Sequence, residues 1–308
     1  MQTVAPGVSL IDTLLHGHPG VTGTILVEGD RPAIVDTGPE TSAAVLLDAL
    51  REAGLGPDDL AWIVLTHVHL DHCGATGAVA AAFPKAKVVV HRRGVKHLID
   101  PSRLVAGSAA VYRAKANLYG GLGPVDEERI IEAPEGHRVP IGPGHDLVMI
   151  EAMGHARHHM AVLDEGSGTL VAGDALGMRL PGAGLYPTMP PSDIDIALGR
   201  ATVARLAETT PTTVCVGHFG VSPDPEWTLA TADEQWRIAG EAAAAGWAQG
   251  GHEGVRQELR RRLPPEELVK DPAALATLAR LGWLDDNADG LAAWAESHAA
   301  AEAGSKQA

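Results

Sequence analysis

The sequence predicts an α/β (α+β) fold followed by a helical region. Short apolar segments rich in Val, Ile and Leu alternate with segments in which apolar residues recur at helical spacing. One predicted strand runs directly into a cluster of three histidines and an aspartate. Beyond residue 225 the sequence is Ala-rich, charged and helical in pattern, without strand-like segments. We therefore expect one α/β domain over residues 1–225 and a helical region over residues 226–308.

The first half of the expected domain alternates strands and helices. Residues 22–28 and 32–36 predict a hairpin that opens the fold, because the turn residues Gly29-Asp30-Arg31 separate them. Leucines at helical spacing predict a helix over 43–52, and the apolar run 61–65 predicts a buried strand. A helix over 75–83 and a strand over 87–91 follow. Residues 93–120 predict a helical insertion, interrupted by Pro101 and Gly107, that can cover a site beside it.

The second half predicts mostly strands. The apolar segments 147–153, 160–164 and 169–172 are expected strands, the last two joined by the turn Glu165-Gly166-Ser167-Gly168. A helix over 194–208 leads to a strand over 213–216. In the C-terminal region Pro264, Pro265, Pro272 and Gly282 divide the sequence into short helices.

Composition indicates an ordinary globular protein. Hydrophobic residues make up 45% of the 308 residues and charged residues 20%, and the net charge is −15. This negative charge disfavours binding to nucleic acid. The N-terminus lacks a basic and apolar leader, and no apolar run reaches the length of a membrane span, so we expect a cytoplasmic protein without a membrane partner. Cys73 and Cys215 lie in different contexts and do not suggest a disulfide framework.

The most informative motif is the run Thr66-His67-Val68-His69-Leu70-Asp71-His72. It places three imidazoles and a carboxylate at the end of the predicted strand 61–65. Imidazole nitrogens and carboxylate oxygens are ligands that suit zinc, iron or manganese. The spacing lets His67 and His69 bind one ion while Asp71 and His72 turn toward another. The motif therefore predicts a metal site at the end of this strand.

Further ligands are expected at other strand ends. Gly154-His155, Gly173-Asp174 and Gly217-His218 each follow an apolar strand with a glycine and then a potential ligand. Glycine lets the backbone bend so that the next side chain turns into a common cleft. Together with the first motif, these pairs supply enough donors for two metal ions.

In this combination the sequence resembles the metallo-β-lactamase-fold hydrolases. The resemblance is carried, in order, by Ile34-Val35-Asp36-Thr37-Gly38, the histidine and aspartate run 67–72, and the three glycine pairs, over roughly residues 1–222. It implies an αββα sandwich with a dinuclear site at one edge between the sheets. The segment Gly154-His155-Ala156-Arg157-His158-His159 looks most like a branch of general metallo-hydrolases whose substrate the sequence does not indicate.

The resemblance also implies a role for each ligand. His67, His69 and His155 would hold one metal, and Asp71, His72 and His218 the other, with Asp174 bridging both. Asp36 and His159 would support the ligands without binding metal. The expected cofactors are two divalent ions, most simply zinc, with iron or manganese as alternatives. Asp71 would also accept a hydrogen bond from the nucleophilic water, and a hydroxide bridging the two ions would attack the substrate.

For the substrate, the sequence favours a small organic ester or thioester. Arg157, Arg179 and Tyr186 lie in segments that can face the site, and Met178, Leu180, Leu185 and Met189 suggest a partly apolar pocket. A carboxylate at 174 disfavours antibiotic hydrolysis, because β-lactamases of this fold usually carry a sulfur or hydroxyl residue there. Lactonase activity is weakened by the absence of a tyrosine shortly after Asp174 but stays open, as does phosphodiesterase activity.

A different class of enzyme also fits the fold. Dioxygenases that resemble this family oxidise persulfides with a single iron held by two histidines and one carboxylate. The five histidines and two aspartates named above favour two metals and hence hydrolysis. A small-molecule substrate is the expected partner, and the sequence leaves open whether the protein is a monomer or a homodimer.

Overall fold

Two sheets of seven strands each form the centre of the molecule. The computed structural model describes residues 1–180, 184–191 and 193–305. The first sheet contains β1 (Gln2–Ala5), β2 (Val8–Asp12), β3 (Gly23–Val27), β4 (Ala33–Val35), β5 (Trp62–Val64), β6 (Lys87–His91) and β7 (Ile130–Ala133), in that order. Strands β1 to β4 pair antiparallel and β4 to β7 pair parallel. The parallel strands therefore end at one edge, where the histidine motif follows β5.

The helices of the first half lie between these strands or follow them. They are α1 (Ala43–Glu52), α2 (Leu70–Cys73), α3 (Thr76–Ala82), α4 (Arg92–Ile99), α5 (Ser102–Tyr112) and α6 (Ala116–Tyr119). The expected helical insertion over 93–120 is confirmed as α4 to α6.

The second sheet is formed by the next part of the chain. Its strands are β8 (Arg138–Gly142), β9 (His145–Glu151), β10 (Met160–Asp164), β11 (Thr169–Arg179), β12 (Leu185–Tyr186), β13 (Thr213–His218) and β14 (Gly220–Ser222). The order across the sheet is β14-β13-β11-β10-β9-β8, with β12 paired to β11. Helix α7 (Ile196–Glu208) connects β12 to β13, and β11 and β13 are parallel.

Three apolar clusters divide the molecule into the four layers of an αββα sandwich. One cluster fills the space between the sheets, with residues such as Ile25, Val64 and Met149. A second joins the first sheet to α1, α3 and α4, and a third joins the second sheet to α7 and the C-terminal helices. The expected sandwich is thus confirmed.

Helices follow β14, as expected for residues 226–305, while residues 306–308 of that expected region lie outside the described residues. They are α8 (Pro225–Arg262), α9 (Pro265–Leu268), α10 (Pro272–Leu281) and α11 (Trp283–Ser305). Gly250 and Gly251 have non-helical backbone angles and break α8. Leu278 and Trp283 share the cluster of the first sheet, whereas Trp236 and Leu291 share that of the second. The division at residue 225 stays a prediction.

The structure differs from the sequence expectation at both edges of the first sheet and at one edge of the second. The hairpin β3–β4 does not open the fold, because the hairpin β1–β2 precedes it. Strands β7 and β8 were not expected either, since their partly exposed residues do not form an apolar run. None of the described helices is both long and apolar enough to cross a membrane.

Candidate metal centre

Three imidazole nitrogens converge in the segments that follow β5 of the first sheet and β9 of the second. Nε2 of His67 lies 3.1 Å from Nδ1 of His69, and Nε2 of His155 lies 3.0 Å from the same atom. His67 and His155 are buried, and His69 is partly exposed. Four ligands at about 2.0–2.1 Å around a tetrahedral ion are about 3.3 Å apart, so these spacings suit a metal ion such as zinc. The trio therefore fits one ion.

A second group of ligands lies beside the first. Nε2 of His72 is 3.2 Å from Oδ1 of Asp174, and Nε2 of His218 is 3.4 Å from Oδ2 of Asp174 and 3.9 Å from Oδ2 of Asp71. Asp174 also approaches the first trio, because its Oδ2 lies 3.7 Å from Nε2 of His155. The structure thus brings together all seven residues expected to bind metal, with Asp174 between the two groups.

Unsatisfied polar atoms support metal binding here. Nε2 of His72 and Oδ1 of Asp174 are buried, and neither has a well-aligned hydrogen-bond partner among the described residues. Burying polar atoms without partners is costly, so native proteins rarely leave them unpaired. A divalent ion between these two atoms would remove that cost.

Asp36 sets which nitrogens face the site. Its Oδ2 lies 2.8 Å from Nδ1 of His72 and accepts a hydrogen bond from the hydroxyl of Thr66 at 2.7 Å. The Thr66 hydroxyl oxygen in turn lies 3.0 Å from Nδ1 of His67. Because the Thr66 hydroxyl donates its proton to Asp36, its oxygen accepts a hydrogen bond from the Nδ1–H of His67. In both rings Nδ1 is thus held by a protein partner, and Nε2 is the nitrogen that would bind metal.

The third imidazole of the first trio is oriented by a different loop. Nδ1 of His155 lies 2.9 Å from the carbonyl oxygen of Thr188, to which it donates. The hydroxyl of Thr188 donates to the carbonyl oxygen of Asp174 at 3.0 Å. Thr188 therefore connects the ring of one ligand to the backbone of another.

Asp174 reaches the site because it leaves the regular pairing of β11 with β13. Gly173 pairs with Val216, and the next pair is Met178 with Gly217, so residues 174–177 have no partners in this ladder. The interruption resembles a bulge, which redirects a side chain. The backbone N–H of Asp174 donates to Nε2 of His159 at 3.0 Å, so His159 supports this bend.

Gly217 leaves room for the Asp174 carboxylate. A Cβ atom at residue 217 would lie 1.8 Å from Oδ1 of Asp174. The next residue, His218, has a φ of 66°, a left-handed conformation that is uncommon outside glycine. The Gly-His pair therefore serves two purposes, close approach to the carboxylate and a sharp turn of the ligand.

The protonation of the site depends on its acidic residues. Burial opposes charge on His72, but Asp174 and Asp36 outweigh this effect and raise the pKa of His72 well above its usual value. Burial also opposes charge on Asp174, yet His218, His72 and His155 hold its pKa well below the usual range. Burial and neighbouring imidazoles lower the pKa of His67 and His69. In neutral solution His67 and His69 are thus unprotonated, as metal binding requires.

The stretch of sequence that contains these residues matches a known family of proteins. The family model described as the metallo-beta-lactamase superfamily matches residues 17–218. The chain belongs to this superfamily. Its members are commonly metal-dependent hydrolases, and the cluster described above is a candidate for the metal site of such an enzyme.

Individual members of the superfamily resemble the chain in sequence and structure. A metallo-beta-lactamase fold-containing protein of Sulfurisphaera tokodaii is 34% identical over 171 residues, which span 54% of this chain and 63% of that relative. The crystal structure of an archaeal superfamily protein from Sulfolobus tokodaii has a TM-score of 0.71 at 25% identity and covers 92% of this chain and 98% of its own. A hydroxyacylglutathione hydrolase of Xanthomonas campestris is 28% identical over 80% of this chain and 78% of its own length.

A small pocket lies over the candidate metal ligands. Its walls include Tyr112 and Tyr119 from the helical insertion and Trp283, Asp286 and Asn287 from α11. No sequence pattern connects α11 with the site, because these residues lie far from the metal motif along the chain and form no recognisable motif. Tyr112 and Tyr119 were within the expected cover.

The pocket wall joins the insertion to α11. Nε1 of Trp283 donates to the hydroxyl of Tyr119 at 3.0 Å, and Lys115 forms an ion pair with Asp286. Burial, with Asp71 nearby, raises the pKa of Tyr112 and Tyr119, so both phenols stay protonated in neutral solution. The ring of Trp283 also lies 4.4 Å from that of His218, measured between centroids.

The structure does not bring the three expected substrate-binding residues to this pocket. Arg157 is exposed and faces Asp193 at 4.0 Å, and Nη1 of Arg179 donates to the carbonyl oxygen of Val221. Tyr186 is buried and lines a different recess beside α8 and α11. Their role in substrate binding stays a prediction.

Proposed function

We propose that the protein is a metal-dependent hydrolase that cleaves a small organic ester or thioester with two divalent ions, zinc being the first candidate. The observation that supports this most directly is the position of Asp174. Its carboxylate oxygens lie 3.7 Å from Nε2 of His155 in the first ligand group, and 3.2 and 3.4 Å from Nε2 of His72 and His218 in the second. A carboxylate shared by two imidazole groups is the arrangement expected of a residue that bridges two ions.

Divalent ions at these positions would polarise the scissile carbonyl and lower the pKa of a bound water. The protein residues hold and orient the reactants. Asp71 is partly exposed toward the pocket, so its carboxylate can accept a hydrogen bond from the attacking water. Tyr112 is protonated and can donate to an oxygen of the substrate. Trp283 and Tyr119 restrict access of bulk water from the side of α11.

The relatives are consistent with this class of reaction. The name of the Xanthomonas relative, hydroxyacylglutathione hydrolase, states that it hydrolyses an acylated thiol. That reaction transfers an acyl group to water, as proposed here. The apolar Met178 and Pro190 beside the ligands suit a small organic acyl group better than a polyanionic chain.

The test combines metal content with a substrate screen. Protein purified without added metal or chelator is measured by elemental mass spectrometry, and the protein reconstituted with zinc is assayed against thioesters, esters, lactones and phosphodiesters. We expect close to two ions per chain and turnover of thioesters or esters. Turnover confined to lactones or phosphodiesters would replace the substrate class. One iron per chain, with oxygen uptake on a persulfide, would contradict hydrolysis and favour the dioxygenase alternative.

A further inference from the structure

A second cavity lies beside the metal centre. It has a volume of about 240 Å³ and lies between the helical insertion and the segments around residues 158 and 191–193. Its polar lining includes His97, Arg103, Ser108 and His158. A volume of 240 Å³ corresponds to about eight water molecules. The cavity is therefore large enough for part of a small substrate but not for a polymer.

This cavity and the pocket over the metal ligands are neighbours. His69 and Tyr112 line both. A molecule whose reactive carbonyl lies at the metal ligands would reach the second cavity by passing beside these two side chains. The part of the substrate beyond the reactive carbonyl would then be recognised by the insertion and not by the metal centre.

The charges around the second cavity favour an anion. Arg103 brings a positive charge to the lining and forms no salt bridge within the described part of the chain, although it interacts with Asp100 at longer range. Asp193, the acidic residue of the lining, already faces Arg157 at 4.0 Å. In a protein of net charge −15, an arginine available at the mouth of a cavity is a specific feature.

The imidazole of His158 adds a hydrogen-bond donor to the lining. Its Nδ1 accepts a hydrogen bond from the backbone N–H of Val68 at 3.4 Å. Because a neutral imidazole carries one proton, that proton lies on Nε2. The hydroxyl of Ser108 is a further polar group of the same lining. One positively charged side chain and several neutral hydrogen-bond donors together suit the binding of a carboxylate.

We propose that this cavity binds a carboxylate at the end of the substrate's acyl group, with Arg103 as the main determinant, so that the preferred substrates are esters or thioesters of short dicarboxylic acids. The cavity volume and the position of Tyr112 limit the length of the acyl group. The acyl chain between the two carbonyl carbons is therefore short. This proposal rests on the proposed hydrolase function, because it names the substrate class of the same site.

The first test compares matched substrates on the full-length protein loaded with zinc. Succinyl and butyryl thioesters of N-acetylcysteamine share the leaving group and nearly the same acyl length but differ in the terminal carboxylate. We expect kcat/KM for the succinyl thioester to exceed that for the butyryl thioester about tenfold or more. Arg103→Gln should abolish this preference by lowering kcat/KM for the succinyl thioester toward that for the butyryl thioester. Arg92→Gln, which removes the same charge from an exposed position of α4 outside the cavity, should retain the preference.

A second measurement does not depend on catalysis. Glutarate is titrated by calorimetry into the metal-free protein, where a metal cannot bind the carboxylates. We expect Arg103→Gln to weaken glutarate binding at least tenfold relative to the unmodified protein and to Arg92→Gln. Circular dichroism of each variant checks that the fold is retained, which the exposure of Arg103 favours.

The outcomes separate the two proposals. Hydrolysis of both thioesters at equal rates, or equal effects of Arg92→Gln and Arg103→Gln, would overturn the carboxylate site while leaving the hydrolase intact. Failure to hydrolyse either thioester, combined with glutarate binding that depends on Arg103, would contradict the hydrolase function but support the cavity as a carboxylate site. Absence of glutarate binding to the unmodified protein would overturn the cavity proposal.

Discussion

The carboxylate of Asp36 lies 2.8 Å from Nδ1 of His72, and on the far side of the same ring Nε2 faces Asp174 at 3.2 Å. Asp36 also accepts hydrogen bonds from the backbone and hydroxyl of Thr66, each at 2.7 Å. One buried carboxylate thus orients two neighbouring parts of the histidine motif. A histidine oriented in this way binds metal more tightly than a freely rotating one.

Replacing Asp36 should therefore weaken metal binding without removing a ligand. For Asp36→Asn we expect zinc affinity to fall about 10- to 100-fold, because the amide carries no negative charge to hold the Nδ1 proton of His72. Competition with a chromophoric chelator measures this affinity. Asp48→Asn, at an exposed position of α1, is the control. Equal affinities in the two variants would show that Asp36 does not support the site.

Asp174→Ala tests the proposed bridge. We expect this variant to lose one of two ions and to lose hydrolysis, because the alanine leaves no carboxylate between His72 and His218. Elemental mass spectrometry and a thioester assay on the same preparation provide both readouts. Retention of two ions and of full activity would contradict the bridging role.

Gly217→Ala tests whether the backbone at residue 217 must leave room for the Asp174 carboxylate. The added methyl group would lie 1.8 Å from Oδ1 of Asp174, so either the carboxylate or the strand end must move. We expect a loss of metal and a lower melting temperature. Gly250→Ala is the matched control, since a Cβ there meets no atom within 4 Å. A variant that keeps both ions and normal stability would show that the end of β13 accommodates the methyl group.

The metal-free protein should lose stability as the pH falls below about 6.5. Burial, with neighbouring imidazoles, lowers the pKa of five histidines in this region: His67, His69, His155, His158 and His159. For His158 the pKa falls to about 3. Between pH 7.5 and 5.5 these histidines take up protons in the unfolded chain, whereas the same histidines stay unprotonated in the folded protein. The free energy of unfolding then decreases by about 1.4 kcal/mol for each strongly shifted ring at pH 5.5.

The raised pKa of His72 has the opposite effect, because it increases the free energy of unfolding as the pH falls. This increase offsets the loss contributed by one of the five rings. The net expectation is a decreasing melting temperature between pH 7.5 and 5.5, measured by calorimetry on chelator-treated protein. A melting temperature that rises over this range would contradict the assigned protonation states.

Trp283 tests the contribution of α11 to the site. Trp283→Ala should lower the free energy of unfolding by about 3–5 kcal/mol, because a large buried ring is removed from the cluster under the first sheet. Trp283→Phe keeps most of the ring but loses the hydrogen bond to Tyr119, so we expect a smaller loss. Urea denaturation measures both. Equal stability of the two variants would show that the ring itself contributes little.

The sequence was most informative where apolar strands end in ligands. Strands β5, β9 and β13 were expected within one or two residues, and the histidine motif and glycine pairs that follow them meet in one place. When parallel or neighbouring strands end at the same edge of a sheet, the residues that follow them lie close together. This proximity does not depend on the structure of the rest of the chain. Local patterns were therefore enough to predict the ligand cluster.

The same reasoning could not predict the pocket walls. Strand β11 continues to Arg179, well beyond the expected end at residue 172, because buried residues on both sides of the Asp174 bend stay in the sheet. Trp283 and Asn287 approach the site only through the packing of α11, which no periodicity encodes. Arg157 and Tyr186 were expected near the site from their closeness in sequence to His155 and Asp174, but side-chain direction depends on tertiary contacts.

The chain builds its two sheets one after the other, with every strand of the first before residue 134 and every strand of the second after residue 137. His67, His69, Asp71 and His72 belong to the first half, whereas His155, Asp174 and His218 belong to the second. During synthesis on the ribosome, a nascent chain that has completed the first sheet holds only part of either ligand group. A complete metal site would therefore form only after the second half of the chain has been made, and an ion bound there would link two parts of the polypeptide that were synthesised at different times.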